Sequence, residues 1–231
     1  MDRTLKQTII YMGDFHNMLI TEKYCGIHYD IISNGKRSKV MEFVEFAENA
    51  EGGVYVKEGW GSVKDDSYYG LKYFQAESER TFEESQTSEL LSYSIPTNDD
   101  LKLKYQITNP TSYTAEEEAK LEIILEGFDS WNNGIDAYKA WVDIAYDKDA
   151  KSSGLNEVER TMDQYKEEME QLCNEKTIKK LKFDNVLIRE DWAAIHYRYR
   201  IEGQNYVGDR MQFLKFQEKD GTLKIVASWI Q

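Results

Sequence analysis

Two histidines stand at the same place in two versions of one pattern. Residues 15–29 read FHNMLITEKYCGIHY and residues 183–197 read FDNVLIREDWAAIHY; eight of these fifteen positions coincide, His28 with His196 among them. Histidine titrates nearest neutral pH and is the commonest general base, so each is a candidate for moving protons. Strand alternation says where they point. In the second copy Ala193, Ile195, Tyr197, Tyr199 and Ile201 share one face, and Trp192, Ala194, His196, Arg198 and Arg200 share the other. The more apolar set faces whatever covers the sheet. Tyr197 and Tyr199 then point inward, and both histidines point outward with Trp192 and its counterpart Tyr24. His28, His196, Trp192 and Tyr24 are expected in a sheet-to-sheet contact, and His196 also stays a candidate catalytic base.

An inward tyrosine hydroxyl could donate to a ligand carbonyl or hold a developing oxyanion. Tyr197 and Tyr199 are therefore candidate ligand-binding residues, with Tyr197 a candidate acid. Trp131 and Trp141, which lie on helical sequence, are candidates to stack on a flat ligand. Asp209 and Arg210, side by side before a strand, could be a pocket pair, but read first as an exposed ion pair of under ~1 kcal/mol. No GxGxxG or Walker loop, no HExxH and no GxSxG occurs, so nucleotide, zinc-protease and serine-hydrolase chemistry have no support. Neither a metal nor a cofactor is expected.

The elements that must position these residues follow from the same repeat. Met41–Phe46 parallels Met211–Phe216, and Val54–Val56 with Trp60 parallels Leu223–Ile225 with Trp229. Asn34–Gly35 and Asp220–Gly221 sit between apolar runs and accept the positive φ of tight hairpins. The sequence reads as a duplicated antiparallel meander. Its strands are expected near 5–12, 15–21, 23–33, 38–47 and 53–62, and again near 177–183, 184–190, 192–202, 208–218 and 222–230. Helices precede only the second meander. Thr114 with Glu117 makes a capping box, and Leu121, Ile124, Leu125, Phe128 and Trp131 follow at helical spacing. Asn132–Asn133–Gly134 ends that helix. Ile135, Tyr138, Trp141, Val142 and Ala145 mark a second. A third, capped by Asn156 and Glu159, carries Val158, Met162, Tyr165, Met169 and Leu172. The organisation is a partial meander (1–65), a connector (66–113) and a whole α+β domain (114–231), with helices on one face of the sheet. The connector is expected to hold a helix within 70–92, to cover the first sheet, and a short strand at Leu101–Ile107.

Bulk composition limits the partners. The chain has 231 residues and a net charge of −13. Such a surface repels phosphate backbones and anionic lipid heads, so neither nucleic acid nor membrane is an expected partner. No apolar run approaches the ~18 residues of a membrane helix. MDRTLKQTII lacks the apolar core of a secretory signal, and Cys25 and Cys173 are too few for a disulfide framework. Together these place the protein in the cytoplasm as an expectation.

Residues 114–231 resemble the nuclear-transport-factor-2-like (NTF2-like) superfamily, in particular its SnoaL-like members. The carriers are LEGFDSWNNGIDAYKAW, the segment YDKDA and the closing strands GDRMQFLKFQEKDGTLKIVASWI. The resemblance implies a cystatin-like cone, in which helices and a bent sheet enclose an apolar pocket and many members dimerise through the sheet's outer face. It implies isomerase, cyclase, dehydratase or epoxide-hydrolase activity in some members and binding alone in others. It also places Asp136, Asp147 and Asp149 near the pocket mouth, Asp149 best, where a carboxylate of raised pKa could take a proton beside a carbonyl. Three readings stay open. One is binding of a small apolar or aromatic molecule in the C-terminal cone. Another is a cofactor-free isomerase, cyclase or hydratase using Asp136 or Asp149 with Tyr197 or His196. The last is an interaction protein, a homodimer or an internal pseudo-dimer joined through sheet faces.

Overall fold

The computed structural model describes residues 10–33, 36–63, 71–72, 89–107, 113–153, 158–204 and 207–230. Near the N-terminus lies an antiparallel sheet of β1 (Ile10–Ile20), β2 (Tyr24–Ser33), β3 (Lys36–Glu48), β4 (Val54–Val63) and β5 (Leu71–Lys72), in that spatial order. The C-terminal half holds α1 (Leu101–Lys104), α2 (Ala115–Asn132), α3 (Ile135–Ala145), β6 (Tyr146–Ser153), β7 (Glu159–Arg160), α4 (Met162–Glu175), β8 (Ile178–Arg189), β9 (Trp192–Ile201), β10 (Val207–Lys219) and β11 (Thr222–Ile230). Its sheet has the order β7-β6-β11-β10-β9-β8. Among the described residues only the β11–β6 pairing is parallel. Helices on one face of a six-stranded sheet give the α+β cone.

Local chemistry explains the boundaries. The Thr114 hydroxyl accepts from the Glu117 amide while the Glu117 carboxylate accepts from the Thr114 amide, so two orphan donors of α2 are satisfied. The third long helix begins later than expected. Thr161, not Asn156, caps α4 with Gln164 in the reciprocal role. Glu159 and Arg160 instead pair with β6, and Val158 is exposed. The expected strand at Leu101–Ile107 is the short helix α1, because the Asp100 carboxylate accepts from the amides of Lys102 and Leu103. YDKDA forms the irregular start of β6: Tyr146 pairs with β11, the ladder resumes only at Lys151, and β7 pairs with Ser152 and Ser153. Of the helix expected within 70–92, residues 71–72 form β5 and 89–92 are helical; the rest lies outside the described residues.

The strands split at 12/15 and at 183/184 in the sequence reading are single bulged strands. In β8 the ladder steps from Lys180↔Tyr199 to Lys182↔Arg198, and from Phe183↔Tyr197 to Asn185↔His196. In β1 it steps from Met12↔Ile31 to Phe15↔Tyr29, and on to Asn17↔His28. A third shift falls at Glu45/Phe46 in β3 and at Lys215/Phe216 in β10. Each bulge adds one residue, bends the strand and reverses which side chains face which way. All three occur at corresponding places in the two sheets.

Two apolar layers result. One lies between the helices and the C-terminal sheet, around Leu121, Leu125, Phe128, Val142, Phe183, Val186, Ile195, Leu214 and Phe216. The other lies between the two sheets and holds Leu19, Met41 and Phe43 against Leu187, Ala194, Met211 and Phe213. Full burial of one such large side chain stabilises by about 1.5–3 kcal/mol. Contacts across this layer are reciprocal. His28 meets Phe213 at 5.9 Å and Trp229 at 6.2 Å between ring centroids, while His196 meets Phe43 and Trp60, each at 5.7 Å. A Cβ added to Gly26 would stand 2.8 Å from that of Ala194, its counterpart in the repeat. Among the described residues no helix is long and apolar enough to cross a membrane.

Candidate functional site

The cone encloses a cavity of about 310 Å³, at the small end of the range for ligand pockets. Trp131, Tyr138, Tyr165, Met169, Leu172, Ile178 and Ile230 supply apolar and aromatic wall, Tyr197 and Tyr199 line it from β9, and Lys180, Arg210 and Gln212 bring polar groups. Arg160 and Glu168 also line it but are joined to each other as an ion pair.

Lys180 is the unusual member. It is only 8% exposed. Its ammonium lies over the rings of Phe128, Trp131, Tyr138 and Tyr197, at 4.6, 4.9, 5.2 and 5.5 Å from their centroids. Cation–π contacts of this kind stabilise a charge only in part. Burial, with the nearby Arg210 charge, lowers its pKa to about 7 against a small opposing effect of Cys173. Among the described residues Lys180 has no carboxylate within ion-pair distance, and the same holds for Arg210. Arg210 lies over the Tyr199 ring at 5.3 Å. That ring has room because residue 208 is glycine; a Cβ there would stand 2.6 Å from the Tyr199 Cζ.

The backbone holds Lys180 in place. Asn132, the last residue of α2, donates its side-chain amide to the Lys180 carbonyl at 2.8 Å and accepts from the Lys180 amide at 2.9 Å. Nearby, the Trp131 indole donates to the Ile178 carbonyl at 2.9 Å. The helix end is thereby fastened to the bulge that turns Lys180 inward.

The residues singled out from sequence separate into groups. Trp131, Tyr197 and Tyr199 line the cavity. Burial raises the pKa of Tyr197 to about 12, so its hydroxyl keeps its proton. Trp141 stands behind the wall: it stacks on Tyr138 at 5.3 Å and occupies the space left by Gly127, where a Cβ would meet its ring at 2.4 Å. Asp136 and Asp149 are exposed and do not line the cavity. Asp147 accepts from the Asp149 amide at 2.9 Å in a local turn.

His28 and His196 are buried between the sheets, 1% and 0% exposed, away from the cavity. His196 meets Asp209 at 3.0 Å through Nε2. Burial works against the Asp209 charge, but the His196 hydrogen bond and the charges of His196 and Arg198 outweigh it and hold that carboxyl below its usual range. Asp209 and Arg210 thus point to opposite faces of β10 and do not form the ion pair expected of them. Trp192 stacks on Trp229 at 5.6 Å beside the intersheet layer, and Tyr24 packs against the same layer. Among the described residues no group of three or more His, Cys, Asp or Glu could hold a metal.

Sequence reasoning missed Lys180 and Asn132, and brought Arg210 to the pocket only as a pair with Asp209, which does not line it. Alternation counted back from Phe183 puts Lys180 on the opposite face; the extra residue at the bulge reverses it. Arg210 was within reach, because it pairs directly with Tyr197 and so shares its face.

No family model matches the chain, and no curated protein matches it. Solved structures resemble about half of it. A candidate SnoaL-like polyketide cyclase from Jannaschia sp. CCS1 is similar at 15% identity and a TM-score of 0.42, over 52% of this chain and 90% of that one. An NTF2-like protein of unknown function from Pseudomonas putida KT2440 is similar at 12% identity and a TM-score of 0.41, over 52% and 87%. A domain of unknown function with a cystatin-like fold from Nostoc punctiforme PCC 73102 follows at 14% identity and a TM-score of 0.39, over 52% and 78%. These are likenesses of arrangement, and none brings a substrate or a reaction with it.

Proposed function

We propose that the C-terminal cone binds a small molecule with an aromatic or apolar body and one anionic group. One observation carries this: two cations, Lys180 and Arg210, face an otherwise largely apolar cavity with no carboxylate partner among the described residues. Two charges that face a largely apolar cavity without a carboxylate partner are unfavourable unless something completes them. A carboxylate would, since a guanidinium offers a planar fork of donors and keeps its charge at any ordinary pH. The aromatic walls take the rest of the molecule.

The test is calorimetric titration of the full chain with 2-naphthoate and with its neutral isostere 2-naphthamide. A hydrogen bond to a charged group contributes about 1.5–3 kcal/mol, so the acid should bind roughly ten- to a hundredfold tighter. Arg210→Met should remove most of that preference. Equal affinity for acid and amide in the unaltered protein would sink the idea.

The intersheet layer favours a second, compatible role for the N-terminal half. Its sheet covers the outer face of the C-terminal sheet through reciprocal contacts, as one half of a symmetric dimer covers the other. In this reading the chain carries an internal pseudo-dimer interface, and energetic coupling between Gly26 and Ala194 tests it.

A further inference from the structure

We infer that Lys180 is a carbonyl-capturing amine, and that the molecule bound in the cone is an aromatic or apolar oxo acid whose aldehyde or ketone carbon forms an imine with the Lys180 Nζ. This rests on the binding reading above and adds a covalent step to it. The geometry separates the two cations by task. Arg210 supplies a permanent charge for the carboxylate. A second permanent charge would be redundant, and Lys180 is poorly placed to be one: its Nζ has four aromatic faces around it and no acceptor among the described residues. An amine desolvated in an apolar pocket beside another cation is the arrangement that leaves the nitrogen lone pair free for attack. In keeping with this, burial and the Arg210 charge lower the Lys180 pKa well below that of an ordinary lysine. Asn132 holds the backbone of Lys180 through two hydrogen bonds, so the amine is presented from a fixed base on the cavity wall.

The step balances without any further reagent. The Nζ lone pair attacks the carbonyl carbon; a C–N bond forms and the carbonyl oxygen takes a proton. That hydroxyl then leaves as water when the C–O bond breaks. The water carries away one hydrogen from the amine and one proton from solvent. The product is a protonated imine that keeps the other amine hydrogen. Nothing is oxidised or reduced.

The experiment uses the full chain, 4-carboxybenzaldehyde as probe and sodium cyanoborohydride to reduce any imine, at pH 7, with adducts mapped by peptide mass spectrometry. The Lys180 adduct should form roughly tenfold or more faster than adducts at the exposed Lys148 and Lys151, because ordinary lysines are almost fully protonated there. Excess 2-naphthoate should suppress only the Lys180 adduct. Lys180→Arg, which keeps a cation but cannot make an imine, should lose that adduct. Arg210→Met should slow capture of 4-carboxybenzaldehyde more than capture of benzaldehyde, since the lost charge activates the amine toward both but pairs with only one. If Lys180 reacts no faster than Lys148 in protein that binds 2-naphthoate, the imine is wrong and the binding reading stands. If 2-naphthoate does not bind at all, both are wrong. If Arg210→Met affects the two aldehydes equally, the assignment of an oxo acid is overturned.

Discussion

Replacing Gly26 by alanine tests the contact between the sheets at its tightest point. The added Cβ would lie 2.8 Å from the Ala194 Cβ, with the Phe213 Cζ and Phe43 Cε1 both at 3.6 Å. Carbon atoms sit best about 3.5–4.0 Å apart, so the sheets must part locally by roughly 1 Å, or Ala194 must yield. The two phenylalanines leave no free side to yield into, since both are fully buried. Overpacking of this kind costs about 1–3 kcal/mol. Ala194→Gly alone should cost about 0.5–1 kcal/mol in added backbone freedom, plus the lost methyl contact. In the double variant the methyl merely changes sides, and the clash disappears. The two substitutions should therefore show a favourable coupling of about 1–2 kcal/mol. Urea unfolding of the four proteins, followed by tryptophan fluorescence, measures it; the slopes should stay equal. Costs that add to within about 0.3–0.5 kcal/mol would mean the two positions do not touch, and the intersheet packing described here would be wrong.

Two further outcomes follow from named residues. Burial, then the charges of His16 and Lys39, lower the pKa of His28 to about 4 from 6.5, with Asp30 opposing. The unfolded chain therefore binds the extra proton between those values. Stability should rise with pH across that window and be lost as pH falls through it, by about 3 kcal/mol in total. His28→Gln should flatten this segment of the curve, and an unchanged slope in the variant would refute the assignment. At the cavity, Gly208→Ala should push the Tyr199 ring out of place, since its Cζ would lie 2.6 Å from the new Cβ. With Arg210 resting on that ring, affinity for 2-naphthoate should fall several-fold on titration; undiminished binding would remove Tyr199 and Arg210 from the site.

What the sequence made legible was whatever depends on one period at a time. Helices α2 and α3 were found because their stripes run unbroken and because Thr114 and Gly134 mark their ends in a standard way. The faces of β9 were found because that strand alternates without interruption, which placed Tyr197 and Tyr199 inward and His196 outward. Errors cluster where two periods meet. A bulge looks in sequence like a strand break, so β1 and β8 were each divided in two, and Lys180 was lost from the inward set. Segment YDKDA lacks apolar alternation because it is the irregular start of β6, where Lys148 and Asp149 are exposed and the pairing with β11 skips from Tyr146 to Lys151. Asp100 caps α1 immediately before a stretch whose apolar spacing, Leu101 to Ile107, also fits a strand, and the local hydrogen bonds decide it.

The two sheets share their bulges but not their chemistry, and the difference locates the function. Lys180 pairs with Tyr199, and the corresponding pair in the N-terminal sheet is Met12 with Ile31. Arg210 pairs with Tyr197, and the corresponding pair is Val40 with Tyr29. The two cations of the cavity without a carboxylate partner among the described residues thus stand where the other sheet has an apolar residue. If they served only to hold a bent sheet together, the N-terminal sheet, bent by bulges at the same places, would need them equally. Burying a charge without a partner weakens a fold, so an apolar residue is the cheaper choice for stability alone. The charges occur instead on the sheet that helices roof into a cavity, which is where a negatively charged guest would repay them.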